Sequence, residues 1–222
     1  MARAIKSNHM KIETENYQLS CQILPNSGQY IIGHQNEDKV VFYQAYKPSI
    51  AAFAVENQIL GGSEYSYRRM SWIKPNFLWM MYRCGWAEKD NQERVLALWV
   101  KKTVFKHILD NAVLSSFNPQ YHDSRESWQS ELDSKDVRLQ WDPDHDPYGN
   151  KITRRAIQLG LKGEILEKFG NRDIDLIEDI TAFVREQKRL LDTNQLEKLT
   201  IPLERVWELK DVVLKKRIGV DG

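Results

Sequence analysis

Apolar residues recur along the chain at strand spacing in some segments and at helix spacing in others. Val40 to Tyr46 is dense in β-branched and aromatic side chains and predicts a strand. Lys47-Pro48-Ser49 opens a helix, since proline suits a first turn, and that helix runs to Asn57 and stops by Gly61-Gly62. Arg69 to Ile73 predicts a short strand. Asn76 to Arg83 predicts a helix ending at Gly85. Phe77, Leu78, Trp79, Met80 and Met81 nearly encircle it, so it should be deeply buried. Arg94 to Val100 is a continuous apolar run, the pattern of a central strand covered on both faces.

The second half alternates in the same way. Thr103 to Ala112 reads as a helix with Thr103 as N-cap. Asp123 to Leu132 reads as another, with Asp123 and Glu126 at capping-box spacing. Val137, Leu139 and Trp141 alternate with Arg138, Gln140 and Asp142, which predicts a half-buried strand. Pro143 to Asn150 is rich in turn residues. Ala156 to Leu161 predicts a strand, Lys162 to Phe169 a short helix ended by Gly170, and Ile174 to Ile177 the last clear strand. Asp179 to Leu191 is an amphipathic helix, and the tail from Pro202 reads as irregular or a short helix. Strands and helices interleave without regular βαβ units. The expected fold is therefore α+β: one domain over 11–201 with a mixed central sheet and packed helices, then a C-terminal extension over 202–222. Residues 1–10 read as disordered or added sequence, with Met10 as a natural start.

Composition narrows the class. The 222 residues are 41% hydrophobic and 28% charged, which suits a globular chain and excludes a disordered one. A net charge of +1 supplies no global field for DNA or a membrane, so any nucleic-acid contact must come from a local patch. Seven tryptophans suggest a core or cleft built from large flat side chains. Cys21 and Cys84 are isolated, which points to a reducing compartment, the cytoplasm, and away from zinc or a disulfide scaffold. No run is apolar enough to span a bilayer. Walker A, GxGxxG after a strand, GxSxG, HExxH and paired CxxC patterns are all absent. Asp142-Pro143-Asp144-His145-Asp146 starts like a calcium loop. It fails at Pro147, where glycine is needed, and at Thr153, where glutamate is needed, so neither zinc nor calcium is expected.

Three segments carry a resemblance: Tyr43 to Pro48, Met70 to Arg83 with its tryptophan-rich block, and Gln140 to Pro143. Arg154 to Gly160 and Ile177 to Thr181 extend it. Together they resemble a bacterial domain-of-unknown-function family, forty-two ninety-one, over about Val40 to Leu191. Phe42 to Tyr46, with the helix through Ser49-Ile50 that ends near Gly61, also resembles the opening of ADP-ribosyltransferases. In that fold the first core strand carries a Tyr-His or an Arg that grips NAD, a helix follows directly, and a later strand carries a glutamate. Here Gln44 stands after the tyrosine, and its amide can still hydrogen-bond an amide.

The resemblance implies a chemistry with identifiable parts. Breaking the nicotinamide–ribose bond leaves an oxocarbenium-like ribose that a carboxylate stabilises. Glu178, at the end of the last strand, is the first choice for that carboxylate and Asp142 the reserve. Gln44 is the partner on the first core strand. Tyr43, Tyr46 and Trp72 are candidate ring partners for nicotinamide. Arg68, Arg69, Lys74 and Arg155 are candidates for the pyrophosphate. Plainer roles stand beside these. Glu178-Asp179 precedes a helix, where acidic residues are favoured, and Trp72 and Trp79 suit a core. Lys74 starts a helix, where a cation is not favoured, which singles it out. The expected function is an ADP-ribosyltransferase-like enzyme that binds NAD and transfers ADP-ribose to a nucleic acid or nucleotide. The alternatives are a non-catalytic nucleotide- or RNA-binding module and an enzyme holding a divalent ion at Asp142–Asp146.

Overall fold

A run apolar at every position can be a strand only if both its faces are covered, and the chain meets that demand at Arg94–Lys101. The computed structural model describes residues 11–221, and the reading of residues 1–10 lies outside them. In chain order the elements are β1 (Thr14–Asn16), α1 (Tyr17–Ile23), β2 (Gly28–Gln29), β3 (Ile32–His34), β4 (Lys39–Tyr46), α2 (Pro48–Asn57), β5 (Ser71–Ile73), α3 (Phe77–Cys84), β6 (Arg94–Lys101) and α4 (Lys102–Asp110). Then come β7 (Ala112–Leu114), α5 (Arg125–Ser134), β8 (Val137–His145), β9 (Lys151–Leu161), α6 (Gly163–Lys168), β10 (Ile174–Asp179), α7 (Thr181–Asp192), β11 (Thr200–Pro202), β12 (Glu204–Val206) and α8 (Val212–Ile218). The fold is α+β with mixed sheets. Among the described residues no helix is long and apolar enough to cross a membrane.

β6 is the middle strand of an antiparallel sheet, flanked by β4 and β10. Alternation sends Val41, Tyr43, Val95, Ala97 and Trp99 to one face, where they join Phe77, Met81 and Val184 of α3 and α7. Val40, Phe42, Leu96, Leu98 and Val100 go to the other, with Phe105 and Ile108 of α4. That second face shares its core with Val137, Leu139, Ile157, Leu159 and Leu161 of the second sheet, so one apolar layer joins the two sheets. The second sheet runs β7-β8-β9, with β2 parallel to β9 at one end and β5 antiparallel to it at the other.

Several boundaries differ from the sequence reading. α4 starts at Lys102 without a side-chain cap, so Thr103 is inside it, and Ala112 already belongs to β7. Ser124, not Asp123, caps α5, because Ser127 returns the bond to complete the box. β8 and β9 form a long hairpin, leaving only Asp146–Asn150 as turn. Asp146 holds that turn by accepting from Tyr148 N and Asn150 N, each at 2.9 Å. Of the expected extension over 202–222, the described residues 202–221 pack into the fold. β12 pairs with β3, and Leu209, Leu214 and Ile218 are buried in the main core.

Candidate functional site

β4 meets Lys74, the residue that follows β5, through a single isolated bridge from Tyr43 rather than a ladder. Tyr43 N donates to Lys74 O at 2.7 Å. Around this junction opens a cleft of about 620 Å³. β4 contributes Gln44 and Tyr46, β5 and its approach Arg69, Ser71 and Trp72, and α3 Trp79 and Arg83. β8 and β9 contribute Gln140 and Gln158.

Gln44 organises the floor. Its Nε2 donates to Ser71 Oγ at 2.9 Å and to Trp72 O at 3.1 Å, while its Oε1 accepts from Tyr46 Oη at 2.7 Å. Both amide hydrogens are therefore committed, and the Ser71 hydroxyl is itself drawn into the same network with Tyr46 and Tyr65. Tyr46 is held neutral, since burial pushes its phenol well above the ordinary range.

Lys74 is buried, with Nζ 4.7 Å from the Trp79 ring centre and 3.5 Å from Trp72 O. Among the described residues no carboxylate lies within 4 Å of it. Desolvation first, and the nearby Arg83 second, lower its pKa to about 8; Asp142 opposes this. Asp142 is half-buried, and desolvation raises its pKa against the pull of Lys74. Gln158 Nε2 donates to Asp142 Oδ2 at 2.5 Å and to Gln140 Oε1 at 2.7 Å. The site thus joins a dehydrated cation, indole faces and amide edges, with one carboxylate, Asp142, hydrogen-bonded behind the Gln158 amide.

The structure brings together Gln44, Tyr46, Arg69, Trp72 and Lys74, all singled out in the sequence. It does not bring Glu178. Glu178, Ala97 and Tyr43 are register partners and share one sheet face, whereas Gln44 shares the other with Leu96 and Asp179. Glu178 is occupied there, accepting from Trp99 Nε1 at 2.5 Å and from Lys11 N at 2.8 Å. The expected convergence of Glu178 and Gln44 is therefore corrected by strand register. Tyr43 is fully buried against Phe77 and cannot stack on a guest. Arg68 is exposed and outside the cleft lining, and Arg155 belongs by alternation to the face of Ile157, opposite Gln158. The three carboxylates of 142–146 are parted. Asp142 serves Gln158, Asp144 serves Arg154 at 2.7 Å, and Asp146 holds its turn. Among the described residues no group of three metal-ligating side chains forms.

Ser71, Arg83, Gln140 and Gln158 escaped the sequence reading. The one available signal was that Gln140 and Gln158 are polar positions in strands whose alternate positions are apolar; that they are cross-strand partners is visible only in the fold.

The domain of unknown function DUF4291 matches residues 30–207, a span that holds every residue of the cleft. The chain belongs to the DUF4291 family. No curated protein matches it. In this DUF4291 chain the tryptophan-rich block that carried the resemblance is β5 with α3, two elements that wall the cleft.

Proposed function

We propose that the cleft floored by Gln44 binds NAD, and that the protein is an ADP-ribosyltransferase-like enzyme using Asp142 as its carboxylate. The observation that carries this reading is Lys74: a buried cation with no carboxylate within 4 Å among the described residues, lining a cleft walled by Trp72 and Trp79. Such a lysine gains most from an anionic group, and Arg69 and Arg83 at the rim suit the second phosphate of a pyrophosphate. Trp72 offers a face to a planar ring. Asp142, tethered by Gln158, is the carboxylate on the cleft side of the sheet. There it stabilises positive charge on the ribose as the bond to nicotinamide breaks.

The test is release of nicotinamide from isotope-labelled NAD, with mixed acceptors, beside a direct measurement of NAD binding. Asp142→Asn should lower turnover about a hundredfold with NAD affinity nearly unchanged, and Lys74→Ala should weaken NAD binding. Glu178→Gln should change neither. Failure of the wild type to bind NAD, or wild-type turnover in a folded Asp142→Asn protein, rejects the reading. A second reading, a nucleotide- or RNA-binding module without catalysis, is favoured by the absence of Glu178 from the cleft. It predicts binding with no release of nicotinamide.

A further inference from the structure

We propose that a second cavity, at the free edge of β8, is the acceptor site of the same reaction and takes a nucleobase. The acceptor role rests on the NAD reading of the first cleft; the nucleobase site can be tested without it. β7 pairs with β8 only from Val137 to Leu139, so beyond Leu139 that edge of β8 has no strand neighbour. Its other edge stays paired with β9 through Pro143. The loop after β7 is pinned by Ser115 N donating to Leu139 O at 2.9 Å. The loop and the free edge enclose a cavity of about 430 Å³.

The two cavities share a wall. Gln140 lines both. Asp142 lines the second, and its Oδ2 accepts from Gln158 Nε2, which belongs to the lining of the first. A transferase needs its carboxylate between donor and acceptor, where it can stabilise charge on one and take a proton from the other. Residues 140–142 meet that requirement.

The lining sets the class of guest. Tyr121 and Trp141 supply flat apolar faces. Trp141 is fixed by its Nε1 donating to Ile218 O at 2.7 Å, while the Phe117 ring beside them is taken up by His122 stacked at 5.8 Å and by the Arg125 guanidinium 4.7 Å from its centre. The hydroxyls of Ser115, Ser116 and Tyr121 and the Nδ2 of Asn118 have no hydrogen-bond partner among the described residues. Rigid rings with uncommitted donors and acceptors around them suit the face and edge of a nucleobase. Neither lysine nor arginine lines this cavity, and Arg125, held on the Phe117 ring, is not part of its lining. In the transfer, the C1′–N bond of NAD breaks and its electron pair leaves with nicotinamide. A nitrogen of the base bonds C1′, and its proton passes to Asp142 and then to water. NAD and base give nicotinamide, ADP-ribosylated base and one proton.

Equilibrium dialysis of the full chain with labelled adenosine, guanosine, cytidine and thymidine, and with short single-stranded DNA and RNA, tests the site. Saturable binding is expected, weakened at least tenfold in Tyr121→Ala and in Ser116→Trp, the latter filling the cavity from an exposed position. NAD affinity and thermal unfolding should match the wild type in at least Ser116→Trp. Binding of oligonucleotides but not nucleosides supports the site with a polymer as its source, and binding of both supports it with free nucleosides as well. No saturable binding to the wild type, or wild-type affinity in both variants, overturns the proposal. If NAD does not bind while base binding is lost in the variants, the acceptor role falls and the base site stands.

Discussion

Lys74 is enclosed by protein, and enclosure removes the water that stabilises an ammonium ion. The folded chain releases its proton near pH 8, whereas an unfolded lysine holds it to about 10.5. Between those values the unfolded chain binds more protons, so the Lys74 contribution to stability rises with pH across that window. Below pH 8 the desolvation cost is fully present. Urea midpoints from pH 7 to 10.5 should show a rising difference between wild type and Lys74→Met; a difference independent of pH rejects the assignment. The same titration acts on ligands with opposite sign. Affinity for a pyrophosphate-containing nucleotide should fall as pH rises through about 8 in the wild type, and stay flat in Lys74→Met. Gln44 teaches a related lesson: it was read as a contact to substrate, but both its amide hydrogens are spent orienting Ser71 and the Trp72 carbonyl.

At the scale of elements, α3 connects stability to the site. Asn76 caps it, accepting from Trp79 N at 2.8 Å, and also donates to the buried Asp144 at 3.3 Å. Glu204 of β12 accepts from Phe77 N at 2.7 Å. Two of the free N–H groups at the start of α3 are thereby satisfied, one by its own cap and one from far along the chain. Gly85, at φ 58°, lets the helix end in a left-handed turn. Asn76→Ala should cost about 1–2 kcal/mol for the lost cap and the weakened Asp144 contact, read from the denaturant midpoint. Because Trp79 and Arg83 reach the cleft from α3, nucleotide affinity should drop with it. A midpoint equal to wild type would show that Glu204 alone holds the helix start.

For the whole molecule, the C-terminal segment is a structural member. Arg217 donates to Leu109 O and Ala112 O, each at 2.9 Å, and Asp221 accepts from Gln29 N at 2.8 Å. Leu214 and Ile218 are buried, together contributing about 3–6 kcal/mol. Deleting 211–222 should therefore lower the melting temperature by roughly 10 °C or more. A truncated chain that melts with the wild type would restore the reading of this segment as an appendage. The same deletion removes the carbonyl that anchors Trp141, so the free edge of β8 should lose its order first.

The linear pattern by itself determined the main elements. β4, β6, α3 and α7 were legible because apolar spacing is a local property, and a run with no polar position has no choice but burial on both sides. Lys74, Trp72, Tyr46 and Arg69, candidates in the sequence, all line the cleft; each is an unusual residue type for its place, or lies beside one. What only the tertiary structure decided is which polar groups meet. A strand sends neighbours to opposite faces, so a shift of one residue in register separates Glu178 from Gln44. The pairing of Gln140 with Gln158, 18 residues apart, ties Asp142 to a cleft-lining amide through a hydrogen bond no spacing rule encodes. The docking of α8 across the core likewise depends on long-range burial, which a short amphipathic segment cannot announce before the surface it covers exists.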